Sequence, residues 1–180
     1  MITFAEYVEL NQKALGEIPI SAIDRFTEGL SAVRLRDGTL WVAGNGGSAA
    51  SASHAVADFG KTVTGNGSSA LRTIALSEMV AMQTAFGNDD SFESAFALSL
   101  RNYAKKGDAV MILSVSGLSP NLLAASRVAM DMGLTLFSIV GLRGKDLAAI
   151  SDFALTVDSN DYQVVENAQM SLIHWFVKVL

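Results

Sequence analysis

Thr39-Leu40-Trp41-Val42-Ala43-Gly44-Asn45-Gly46-Gly47-Ser48 is the stretch that decides the fold of this chain. Thr39 to Ala43 reads as a short buried strand, a glycine-rich turn follows, and Ser48 opens a segment with helical patterning to about Gly60. Strand, small-residue turn and helix N-terminus in that order leave unpaired backbone N–H groups aimed at one spot. The helix dipole adds partial positive charge there. A second turn of the same build, Ser114-Val115-Ser116-Gly117-Leu118-Ser119-Pro120-Asn121, follows the most apolar run of the chain, Ala109 to Leu113. Pro120 stands in the first turn of the helix that begins near Ser119, a place where proline is tolerated. Both turns suit an anion, and the serines of the second point to a phosphate. Neither is a GxGxxG, and neither ends in the GK[ST] of a P-loop. Tight βα turns also use glycine for geometry alone, so the pattern by itself leaves both readings open.

Outward from these turns the same alternation continues. Phe4 to Val33 carries apolar residues at helical spacing with a break at Ile18-Pro19-Ile20, and Ser21 or Asp24 is placed to start the second piece. Beyond the first turn come a loop at Gly65-Asn66-Gly67-Ser68-Ser69, a strand at Leu71–Leu76, and helices at about Met79–Phe86 and Phe92–Tyr103. Gly87-Asn88-Asp89-Asp90 reads as a polar loop between those helices. Past Met132 the pattern gives a strand at Leu134–Val140, a short helix near Leu147, a strand at Phe153–Val157 and a last helix from about Val164. Five strands separated by helices predict an α/β fold with a parallel sheet covered on both faces. Ligands of such sheets bind beyond the carboxyl ends of the strands, where both turns lie.

Composition narrows the classes. The 180 residues suit one domain with a substantial core. Cysteine is absent, which excludes disulfides and thiol chemistry and fits a reducing cytoplasm. No apolar run approaches the roughly 20 residues that span a bilayer, and the N-terminal stretch lacks the pattern of a signal peptide. A net charge of −5 without a basic cluster argues against nucleic-acid binding.

The two histidines have distinctive neighbours. His54 lies in the helix after the first turn, with Asp58 at i+4 on the same face. Such a pair can share a metal, or act as base and orienter, and is most often a plain surface pair. His174 lies in the apolar stretch Ser171–Val177, with Glu166 eight residues earlier. Eight residues are roughly 12 Å of helix rise, so those side chains meet only by leaning toward each other. Two imidazoles and two carboxylates would suit zinc or a similar divalent ion. Spacing alone does not assign one. Lys61 is placed to meet a phosphate but reads equally as a surface residue, and Trp41 and Trp175 read as core or interface.

Taken together, Gly44-Asn45-Gly46-Gly47-Ser48-Ala49-Ala50, His54, Gly87-Asn88-Asp89, Ser114 to Asn121 and His174 resemble the sugar isomerase (SIS) domain family, and within it the phosphoheptose isomerases. The similarity covers nearly the whole chain. It implies a single domain over residues 1–180, with a five-stranded parallel sheet flanked by helices on both faces. An N-terminal helical segment, residues 1–35, would pack on the sheet and on neighbouring subunits of a homotetramer with interfacial active sites. The implied reaction interconverts sedoheptulose 7-phosphate and D-glycero-D-manno-heptose 7-phosphate. By position, Asn45, Gly46, Gly47 and Ser48 would contact the phosphorylated sugar, Asn88 and Asp89 its hydroxyls, and Ser114, Val115, Ser116 and Ser119 its phosphate. His54, Asp58, Glu166 and His174 fall on the family's zinc ligands, Asp58 and His174 on its acid/base pair, and Glu166 also on a substrate contact.

The chain departs from the family at Asp58, commonly Glu, at Glu166, commonly Gln, and at Leu118, commonly Asn. One methylene fewer at Asp58 shifts a carboxylate by more than the roughly 0.5 Å that positioned sites tolerate. The resemblance also carries an alternative, a non-catalytic SIS module that binds a sugar phosphate or a protein partner such as a replication initiator. Two histidines and two carboxylates kept at the ligand positions favour the enzyme.

Overall fold

A computed structural model describes residues 2–61 and 69–180; of the loop expected at Gly65–Ser69, only Ser69 lies within the described residues. Two helices come first, α1 (Phe4–Gly16) and α2 (Ile20–Leu35), and then β1 (Thr39–Gly44) and α3 (Gly47–Lys61). Next are β2 (Arg72–Ala75), a 3₁₀ turn (Leu76–Glu78), α4 (Val80–Asp89) and α5 (Ala95–Tyr103). The second half runs β3 (Ala109–Ser114), α6 (Pro120–Asp131), β4 (Thr135–Gly141), a 3₁₀ turn (Leu142–Gly144), α7 (Lys145–Ile150), β5 (Phe153–Val157) and α8 (Tyr162–Val179).

Local chemistry accounts for most of the boundaries. At α1, Thr3 and Glu6 form a capping box, and the N–H and hydroxyl of Thr3 hold the Glu6 carboxyl below its ordinary value. Asp161 caps α8 by accepting from the Val164 N–H at 3.1 Å. The break between the first two helices falls at Pro19, which is itself the N-cap of α2, so neither Ser21 nor Asp24 starts that helix. Gly87, Asn88 and Asp89 form the last turn of α4 rather than a loop. A helix end tolerates such residues because its last carbonyls have no helical partners to lose.

Among the described residues five strands pair in parallel in the order β2-β1-β3-β4-β5. Side chains alternate across the sheet. Leu40, Val42, Met111 and Leu113 face a core completed by α1, α2, α3 and α8; Trp41, Ala43, Val110 and Ile112 face one completed by α5, α6 and α7. Phe26 of α2 joins the first core by stacking on Phe176 of α8 and meeting Phe137 of β4 edge-on, both at 5.0 Å. Trp41 is core, as expected, and its Nε1 donates to Asp108 at 3.0 Å; Trp175 is half-exposed. No described helix is long and apolar enough to cross a membrane.

Candidate active site

Strand order reverses between β1 and β3, so the chain leaves these two neighbours toward opposite faces of the sheet and opens a crevice at their carboxyl ends. Gly44 pairs with Leu113 there, which brings the two glycine- and serine-rich turns side by side. In the first turn Gly46 has φ +55°, a conformation glycine adopts without steric cost. Gly47 opens α3, and the Glu166 carboxylate from α8 sits so close above its α-carbon that a Cβ there would collide with it. Ser48 is buried, and its hydroxyl donates to Gln169 Oε1 at 2.9 Å. That hydroxyl's proton is already given within the protein, leaving the backbone N–H as the donor Ser48 can offer a ligand.

The second turn is held by its own serines. Ser114 Oγ accepts from the Gly117 N–H at 3.0 Å, and Ser116 Oγ accepts from the Leu118 N–H at 3.2 Å. Gly117 has φ +65° and lies against Gly144 with no room for a side chain. Ser119 is the N-cap of α6 but makes no side-chain capping bond, so its hydroxyl is left for something else. Asn45, Ser48, Ser114, Val115, Ser116 and Ser119 line a cleft of about 70 Å³ that Tyr162 and Glu166 border from α8. Helix N-terminus, free hydroxyl and small-residue turn together suit an anion.

The histidine–carboxylate group forms where α3 crosses α8. His54 Nε2 stands 3.1 Å from His174 Nε2, and Asp58 Oδ2 lies 3.3 Å from the first ring and 3.7 Å from the second. The three donor atoms lie within 4.8 Å of one another. A tetrahedral metal centre with bonds of about 2.0–2.1 Å keeps its ligand atoms about 3.3 Å apart, so spacing and donor chemistry both fit a divalent ion. Asp58 reaches both rings despite its shorter side chain.

Two groups of expected residues are placed elsewhere. Glu166 stands outside this trio, over Gly47 and on the cleft, as the rise along α8 from Glu166 to His174 leads one to expect. Asn88 and Asp89 do not line the cleft; they are exposed on the last turn of α4, where Asn88 Nδ2 donates to Asp89 Oδ1 at 2.8 Å. Two contributors went unassigned from sequence. Asn121 exchanges amide hydrogen bonds with Asn45, and nothing but its place in the second turn marked it. Gln169 is fully buried, and its signal was a polar residue on the apolar face of α8 set by Val165, Ala168, Leu172 and Ile173.

Known proteins resemble this chain over most of its length. The model of the SIS domain family matches residues 3–141. The phosphoheptose isomerase of Streptomyces coelicolor is 34% identical over 91% of this chain and 71% of its own length. That of Burkholderia pseudomallei is 32% identical over 86% of this chain and 78% of its own. The solved phosphoheptose isomerase of Neisseria gonorrhoeae superposes with a TM-score of 0.87 at 28% identity, covering 98% of this chain and 93% of the other.

Proposed function

The chain belongs to the SIS domain family, within its phosphoheptose isomerase branch, and from that premise we infer that it is a sugar-phosphate isomerase converting sedoheptulose 7-phosphate to D-glycero-D-manno-heptose 7-phosphate. The observation that carries this reading is the convergence of His54, Asp58 and His174 on the same two helices, α3 and α8, that border the cleft. Phosphate in the Ser114–Ser119 turn supplies binding energy remote from the reacting carbons and orients them. Asn45, Gly46, Gly47 and the Ser48 N–H meet the sugar beside it.

Asp58 takes the proton from C1, next to the C2 carbonyl. His174 gives a proton to the C2 oxygen and withdraws one from the C1 hydroxyl. Return of the first proton to C2 completes the aldose. Such positioned proton transfer contributes on the order of 10²–10⁴-fold. When bound, a zinc ion held by His54, Asp58 and His174 would polarise the substrate oxygens and stabilise the charge that develops on them. Of the two roles expected of Glu166, fourth metal donor and ligand of sugar hydroxyls, its seat over Gly47 and outside the trio supports the second.

The enzyme works as a cytoplasmic homotetramer in which Asn88 and Asp89 complete a neighbour's site. Helix α4, which carries them, buries none of its own residues; Val80 at its start is 61% exposed, and Phe92 just past its end is 64% exposed. Metal content of protein purified without added metal, with turnover of sedoheptulose 7-phosphate before and after chelation, tests the reading. About one zinc per chain and chelator-sensitive turnover are expected. Bound metal without turnover points to another sugar phosphate, and absence of both overturns the enzyme.

A further inference from the structure

We infer that Asn121 is a positioning residue, whose side chain clamps the substrate-binding Asn45 across the crevice. The inference rests on the reading of Asn45 as a sugar ligand. Asn45 leaves the end of β1, and Asn121 lies in the first turn of α6 beyond β3, so the pair bridges the point where strand order reverses. Each amide donates one N–H to the carbonyl oxygen of the other, both at 2.9 Å. Asn121 is 2% exposed and does not line the cleft, whereas Asn45 does. Its Oδ1 also accepts from the Leu122 N–H at 3.0 Å, which anchors the amide to the helix start.

A primary amide has two N–H donors and two acceptor lone pairs. The reciprocal bond uses one of each on Asn45 and fixes the plane of its amide. One donor and one lone pair remain for a ligand, held in a set direction before the ligand arrives. Holding a binding group in its bound geometry saves the ordering cost of association. The same bond ties the turn that meets the sugar to the turn that meets the phosphate.

A double-mutant cycle on affinity for sedoheptulose 7-phosphate, read by calorimetry on the folded proteins, tests the assignment. Asn121→Ala should weaken binding about tenfold in the otherwise native chain, the scale of one or two net hydrogen bonds, and less than about twofold when Asn45 is already Ala. Equal losses in both backgrounds would show that Asn121 does not act through Asn45 and overturn the inference. So would full affinity in Asn121→Ala, or in Asn45→Ala. Asn121→Ser, too short to reach Asn45, replaces the alanine variant should that one not fold.

If the native protein does not bind this sugar phosphate, the functional reading fails separately. The clamp is then decided without ligand, from the side-chain amide resonances of Asn45. Replacing Asn121 should shift them and speed their hydrogen exchange; unchanged resonances would sink the clamp.

Discussion

The proton-transfer chemistry is tested at single residues. Asp58→Asn and His174→Gln should each lower turnover by at least about 10²-fold, the usual scale for a lost general acid or base. Both positions are partly exposed at the surface of their helices, so melting temperatures should stay near that of the native chain. Turnover near the native rate in either variant removes that residue from the mechanism. Gly47→Ala tests a contact instead of a reacting group. Its new methyl would occupy the place of the Glu166 carboxylate, which ends a flexible side chain and can move aside. The protein should fold, while KM for the sugar phosphate rises more than kcat falls. Unchanged kinetics would show that the seat of Glu166 over Gly47 has no part in binding.

Between elements, the two turns and the aromatic contact of α2 have separable roles. The free hydroxyl of Ser119 and the Ser116 hydroxyl line the cleft at the start of α6, the proposed phosphate site. Replacing both with Ala should weaken binding of phosphorylated sugars roughly tenfold and leave the fold intact, because neither hydroxyl is buried in a core. Calorimetric affinity equal to that of the native chain would place the phosphate elsewhere. Phe26 is the reverse case. It holds α2 against β4 and α8, does not line the cleft, and is 1% exposed. Phe26→Ala should cost about 3–5 kcal/mol of stability by leaving a cavity, measured by denaturant unfolding. Its effect on kcat in the folded fraction should be slight.

At the scale of the whole molecule, the proposed tetramer would cover α4, which has no buried residue of its own. Light scattering should give a tetramer, and Val80→Glu should yield smaller species that have lost turnover because Asn88 and Asp89 no longer reach a neighbour's cleft. A fully active monomer would refute the shared site. The order of strands and helices was legible in the sequence because apolar periodicity and glycine turns are local signals, each written within a dozen residues. The cleft-lining turns were legible for the same reason: each turn and the helix that follows it are continuous in sequence. What the tertiary structure alone decided is which distant groups meet. Spacing along the chain left His54, Asp58, Glu166 and His174 open between surface pairs and a metal set; the crossing of α3 over α8 brought three of them together and turned Glu166 onto Gly47. Asn121 and Gln169 found their partners 76 and 121 residues away. Their hydrogen bonds depend on how helices from both ends of the chain pack around one sheet, and no local pattern encodes that.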